Sequence, residues 1–77
     1  MLGKTVYTVL KDWRTNKYIC CQAKVVKHIN GKIHEFKTMG KSPNGKLMPN
    51  YFLTSELGKT VFFNRTGAAR AATRLNL

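Results

Sequence analysis

The segment Val25-Val26-Lys27-His28-Ile29-Asn30-Gly31-Lys32-Ile33-His34-Glu35-Phe36 constrains this chain more than any other. Asn-Gly readily supplies the two positive φ angles of a type I′ turn, and here it separates two alternating runs, so it predicts a two-residue β-hairpin. With Asn30 and Gly31 as the loop, Ile29 pairs with Lys32, His28 with Ile33, Lys27 with His34, Val26 with Glu35 and Val25 with Phe36. Side chains alternate between faces along a strand. That parity places Ile19, Cys21, Ala23, Val25 and Ile29 on a core face, joined by Phe36. The other face carries Tyr18, Cys20, Gln22, Lys24, Val26 and His28, with Ile33, Glu35 and Lys37 across from them, as expected of a half-solvated sheet.

Residues 4–10 alternate as a further strand, and 11–17, with Asp12, Thr15 and Asn16, form a turn that holds the single tryptophan, Trp13. Residues 38–50 read as the longest loop, built around the β-turn Ser42-Pro43-Asn44-Gly45. Short strands at 51–54 and 59–63 are split by Ser55-Glu56-Leu57-Gly58. Asn64 is an N-cap for a helix over 65–75, in which Ala68, Ala72 and Leu75 recur at i, i+4 and i+7 and Ala71 widens the stripe. Arg70 and Arg74 fall opposite it. Gly67 inside this helix costs about 1 kcal/mol relative to Ala. The expected fold class is α+β: a small antiparallel five-stranded bent sheet or an SH3-like barrel, with one C-terminal helix over an open end or one face. One domain spans 1–77, β-rich over about 4–63 and helical over 64–77.

Size and charge bound the function. A chain of 77 residues buries only about 60 to 65% of the surface its unfolded form exposes, which leaves one core and no room for a multidomain enzyme. Its 43% hydrophobic content is too high for a disordered basic tail. No apolar run approaches the roughly 18 residues that cross a bilayer, and no basic segment with an apolar run opens the chain, so a cytoplasmic protein without membrane contact is expected. Without a secretion signal, Asn64-Arg65-Thr66 is not read as a glycosylation acceptor.

The chemical inventory is thin. Asp12, Glu35, Glu56, His28 and His34 offer neither a carboxylate pair nor a nucleophile with its base. In the derived register the two histidines occupy opposite faces and cannot hold one ion, so no metal, no cofactor and no enzymatic activity are expected. Cys20 and Cys21, adjacent in a strand, point apart and do not suit a mutual disulfide. Gly3-Lys4-Thr5, Gly40-Lys41-Ser42 and Gly58-Lys59-Thr60 lack the upstream glycine and the following helix of a phosphate-binding loop.

The order of features, a β-rich segment and then Val61-Phe62-Phe63-Asn64 opening an Ala-rich helix, resembles small proteins of Gram-positive phages and mobile elements. Many of these close with a Val-Phe-x-Thr junction and an acidic, Ala-rich turn. The likeness covers residues 61–77 closely and the rest in outline; it departs at Thr66 and Gly67, where acidic residues are usual. It implies a context and no mechanism.

The net charge of +11, from 14 Lys plus Arg against 3 Asp plus Glu, points to an anionic partner. Five of the six glycines precede a lysine, which places lysines at strand ends, where they also blunt edge-to-edge aggregation. The leading expectation is a non-enzymatic module that binds the phosphate backbone of DNA or RNA with little sequence preference, through Lys4, Lys32, Lys46, Lys59, Arg65, Arg70 and Arg74. Trp13 and Tyr18 are the candidate stacking aromatics, whereas Tyr7, Tyr51, Phe36, Phe52, Phe62 and Phe63 are assigned to the core. The alternative is a phage or mobile-element interaction factor that docks on an acidic surface of a host protein. Either would be a monomer or a weak homodimer paired through an edge strand.

Overall fold

The alternation running through the first third of the chain becomes two long neighbouring strands, β1 (Thr5–Asp12) and β2 (Lys17–Ile29), paired antiparallel from Thr5↔Lys24 to Asp12↔Lys17. In the computed structural model, which describes residues 2–29 and 34–77, they are joined by β3 (Glu35–Lys41), β4 (Leu47–Leu53) and β5 (Val61–Phe62). A single 3-10 turn, Thr54–Glu56, links β4 to β5, and helix α1 (Arg65–Leu75) follows. The sheet order is β4-β3-β2-β1-β5. Its two edges, β4 and β5, are not paired, so the α+β fold is an open five-stranded antiparallel sheet with one C-terminal helix. No helix among the described residues is long and apolar enough to cross a membrane.

Each face of the sheet has its own core. On the inner face Val6, Ala23, Val25, Phe36, Phe52 and Val61 pack together, with Leu57 from the β4–β5 connection against them. Phe36 is fully buried, its ring centroid 5.9 Å from that of Phe52. Two hydroxyls in this layer are satisfied by the backbone: Thr8 Oγ1 donates to the Cys21 carbonyl at 3.2 Å, and Thr38 Oγ1 to that of Asn50 at 3.3 Å. On the outer face, Val9 packs against Ala68, Ala71 and Ala72 of α1, flanked by Tyr7, Tyr18, Cys20 and Phe62. Alanines let the helix backbone lie close to the strands.

Both ends of α1 are fixed. Asn64 Oδ1 accepts from the Gly67 N–H at 2.7 Å, the predicted N-cap. Gly67 itself makes room for Phe62, since a Cβ there would meet the ring's Cδ2 at 2.8 Å. Beyond the last turn, Asn76 accepts the Tyr18 N–H (2.7 Å) and donates to the Tyr18 carbonyl (2.8 Å), which clamps the helix end to the start of β2.

The hairpin register differs from the sequence expectation. Val25 faces Thr38 rather than Phe36, a displacement of two residues that preserves the predicted faces of β2 up to that point. Beyond it, Lys27 faces Lys37 rather than His34, His28 faces Phe36, and Ile29 faces Glu35. The displacement has become three, because Val26 is an extra residue bulged out of the ladder. The bulge reverses the faces of Lys27, His28 and Ile29: His28 turns to the Phe36 side, and Ile29 leaves the predicted core face. His34 stands outside the strands. The Asn30-Gly31 turn and Lys32 lie outside the described residues.

The predicted loop over 38–50 is a second hairpin. Thr38 to Lys41 continue β3, and β4 begins at Leu47, so only 42–46 turn, closed by the Gly45 N–H donating to the Ser42 carbonyl at 2.9 Å. Pro49 disguised this strand, yet an edge strand tolerates proline where its missing N–H faces away from the ladder. Correspondingly, the strand expected over 59–63 is only Val61–Phe62.

Gly40 is required by the register. A Cβ there would meet Gln22 O and would lie 2.6 Å from Ala23 Cβ and 2.8 Å from Ala23 Cα, all part of the neighbouring strand. Gly40→Ala should lower unfolding stability by about 1–3 kcal/mol in urea titrations. An unchanged midpoint would show that β2 and β3 are not so closely apposed.

Candidate functional site

The helix presents its arginines to solvent. Arg65, Arg70 and Arg74, with Thr66, Ala69 and Thr73 between them, line a shallow groove of about 670 Å³. Arg65 is anchored: its guanidinium lies 4.9 Å from the Tyr7 ring centroid, and Nη2 donates to Gln22 Oε1 at 3.2 Å. Arg70 and Arg74, four residues apart, are neighbours on one face. Among the described residues the one ion pair is Arg14–Asp12, so neither has an acidic partner there.

The lysines expected to join them are distributed unevenly. Lys59 shares a crevice of about 310 Å³ with Arg74 and Leu75 on the β5 side of the helix. Lys4 lies near the helix entrance, its Nζ 5.9 Å from the ring of Phe63. Lys46 is in the β3–β4 turn, where its N–H donates to Asn44 Oδ1 at 3.1 Å, and it lines neither recess. Lys41 is at a strand end as expected, the last residue of β3, where the chain enters the turn and does not leave one, because Gly40 is inside the strand.

Of the two candidate aromatics, only Trp13 is free, at 80% exposure. Tyr18 packs against the helix cluster. Lys11 Nζ lies 4.7 Å from the Trp13 centroid and 5.8 Å from that of Tyr18. Trp13 borders a cavity of about 500 Å³ between the β1–β2 and β3–β4 turns, which Arg14 ties together by donating from Nη2 to the Pro43 carbonyl at 3.0 Å. Two aromatics assigned to the core are outside it: Tyr51 is 55% exposed and Phe63 50%. Tyr51 and Phe52, adjacent in β4, cannot face the same way, and Phe63 lies past the end of β5.

Sequence reasoning also missed a basic surface on the outer face beyond the helix. There Lys24 faces Met39, Met39 faces Pro49, Lys27 faces Lys37, and Lys37 faces Tyr51. Alternation does place Lys24 and Lys37 on this face, but Lys27 reaches it only through the bulge.

Titratable groups offer little chemistry. No group of three His, Cys, Asp or Glu among the described residues could hold a metal ion. Burial, with smaller contributions from Cys20 and Asp12, pushes the Cys21 thiol above its ordinary value, which keeps it protonated at neutral pH. Asp12 Oδ1 accepts from the Arg14 N–H at 3.0 Å and from its Nε at 3.4 Å. The backbone bond is the largest influence, and together these contacts outweigh desolvation to hold the carboxyl below its usual range. Comparison with family models, curated proteins and solved structures gives no match.

Because its folded pKa is depressed, Asp12 stabilises the fold above the ordinary value of 3.8, and that contribution is lost as pH falls through the folded value. Asp12→Asn should therefore melt below the wild type at pH 7, with the gap narrowing below about pH 4. A gap independent of pH in thermal melts would contradict this assignment.

Proposed function

We propose that this protein is a non-enzymatic module that binds the phosphate backbone of nucleic acid with little sequence preference. The observation that carries the reading is the arginine face of α1: Arg70 and Arg74 stand four residues apart, exposed, without an acidic partner among the described residues, along a groove that Arg65 extends. Solubility does not require such clustering, since interspersed charges serve it as well. Guanidinium groups match phosphate oxygens in bidentate geometry and keep their charge at any physiological pH. Lys59 and Lys4 widen the footprint on either side of the helix. The arginines sit on a helix face and carry no pattern of base-reading side chains, so the contact is expected to be with phosphates and not with base edges.

Binding of labelled DNA and RNA, followed by anisotropy across a salt series, tests this reading. The logarithm of the association constant should fall linearly with log salt. Arg70→Ala with Arg74→Ala should weaken binding to all sequences alike and reduce the magnitude of that slope by about 2. Flat binding between low and moderate salt, or no retention of either polymer, overturns it.

A further inference from the structure

A helix about 10 Å across covers roughly two strands spaced 4.8 Å apart, so α1 cannot cover a five-stranded sheet. It packs over β1, the first half of β2, and β5, leaving the outer face of β3 and β4 open. On this open half Tyr51 stands 55% exposed in an edge strand, with Lys37 Nζ 5.9 Å from its ring centroid. Lys37 faces Tyr51 on one side and Lys27 on the other, so one row across β2, β3 and β4 reads lysine, lysine, tyrosine. Lys24 stands in the adjacent row, opposite Met39. Glu35, opposite Leu53, is the single acid on this half.

The bulge at Val26 makes this arrangement. In an unbroken strand Lys24 and Lys27, three residues apart, would point to opposite faces. Bulges re-aim side chains, and here the extra residue brings both ammonium groups onto the face that carries Tyr51.

We propose that the open outer half of the sheet is a stacking platform for single-stranded nucleic acid, with a base on the Tyr51 ring and phosphates on Lys24, Lys27 and Lys37. The proposal rests on the nucleic-acid reading above and adds the strand state of the ligand. A positively charged surface with an exposed aromatic tracks a flexible backbone while bases stack, and it tolerates any sequence because every base has a π-face. A duplex keeps those faces internal, so Tyr51 gives it nothing to bind. The helix arginines serve single and double strands alike, whereas the sheet platform discriminates between them.

The test compares labelled oligo-dT, oligo-U and a duplex of equal length at one salt concentration, using Tyr51→Ala, Tyr51→Trp and the Arg70→Ala, Arg74→Ala double variant. Tyr51→Ala should weaken binding of single strands about 5- to 150-fold and leave duplex binding unchanged, while Tyr51→Trp retains single-strand affinity. Position 51 is exposed on an edge strand, and circular dichroism checks that both variants fold. Wild-type affinity of Tyr51→Ala for single strands overturns the platform, as does an equal loss on duplex. If Tyr51→Ala is silent while the arginine variant weakens binding, the platform falls and the backbone reading stands. If the wild-type protein binds none of the three polymers, both fall.

Discussion

Strand β2 is the constraint on which the rest of the fold depends. Thirteen residues long and central in the sheet, it pairs with β1 along its first part and with β3 along its second, and it supplies side chains to both cores. Ala23 and Val25 belong to the inner cluster with Phe36 and Phe52, while Tyr18 and Cys20 lie under the helix. A strand that serves two layers must keep its phase wherever both layers are filled. Phase can change only where one layer ends, and the bulge at Val26 lies just beyond Val25, the last buried residue of β2. Val26 itself is exposed, so the extra residue takes no buried side chain out of the core.

Much of this was legible in the sequence, for reasons that differ by element. The core positions of β2 up to Val25, the N-cap Asn64 and the alanine stripe follow from local chemistry and period, which do not depend on what packs elsewhere. The hairpin register did not follow. A displacement by two residues keeps every side chain on its face, so alternation cannot detect it, and the choice is made by tertiary fit where Gly40 lies against Ala23. The β4 strand was hidden because proline and polar residues resemble a loop when the edge position that permits them is unknown. Tyr51 and Phe63 were misplaced by residue type, although alternation from Phe52 turns Tyr51 to the other face, whereas Phe63 is outside because β5 ends at Phe62.

The candidate site divides along the same line. Arg70 and Arg74 were legible because a helix of known period shows its outer face directly, whereas Arg65 stands on the flank that meets Tyr7 and Gln22 of the sheet. The sheet lysines were only half legible: Lys24 and Lys37 follow the simple alternation, whereas Lys27 joins them through a bulge that no local signal announces. Lys46 shows the reverse. Its Gly-Lys context looked like that of the other rim lysines, but a strand end belongs to whatever surface the topology puts it on, and the β3–β4 turn is not beside the helix.

These placements bear on how the chain carries its charge. Like charges on a small domain repel one another, and here a single described ion pair, with its Arg14 end largely in solvent, offers little relief. Scattering fourteen cations evenly would minimise that repulsion. Instead Arg70 and Arg74 are neighbours on one helix face, and the bulge turns Lys27 toward Lys24 and Lys37, an arrangement that raises local repulsion and gains nothing in core packing. The reversal also moves His28 toward the core side and leaves Ile29 half-buried outside it, which is no improvement in burial. Packing therefore does not account for the clustering; the nucleic-acid binding proposed above would, because a polyanion releases its counterions on contact, and the concentration of charge that costs stability in the free protein would then be a source of affinity.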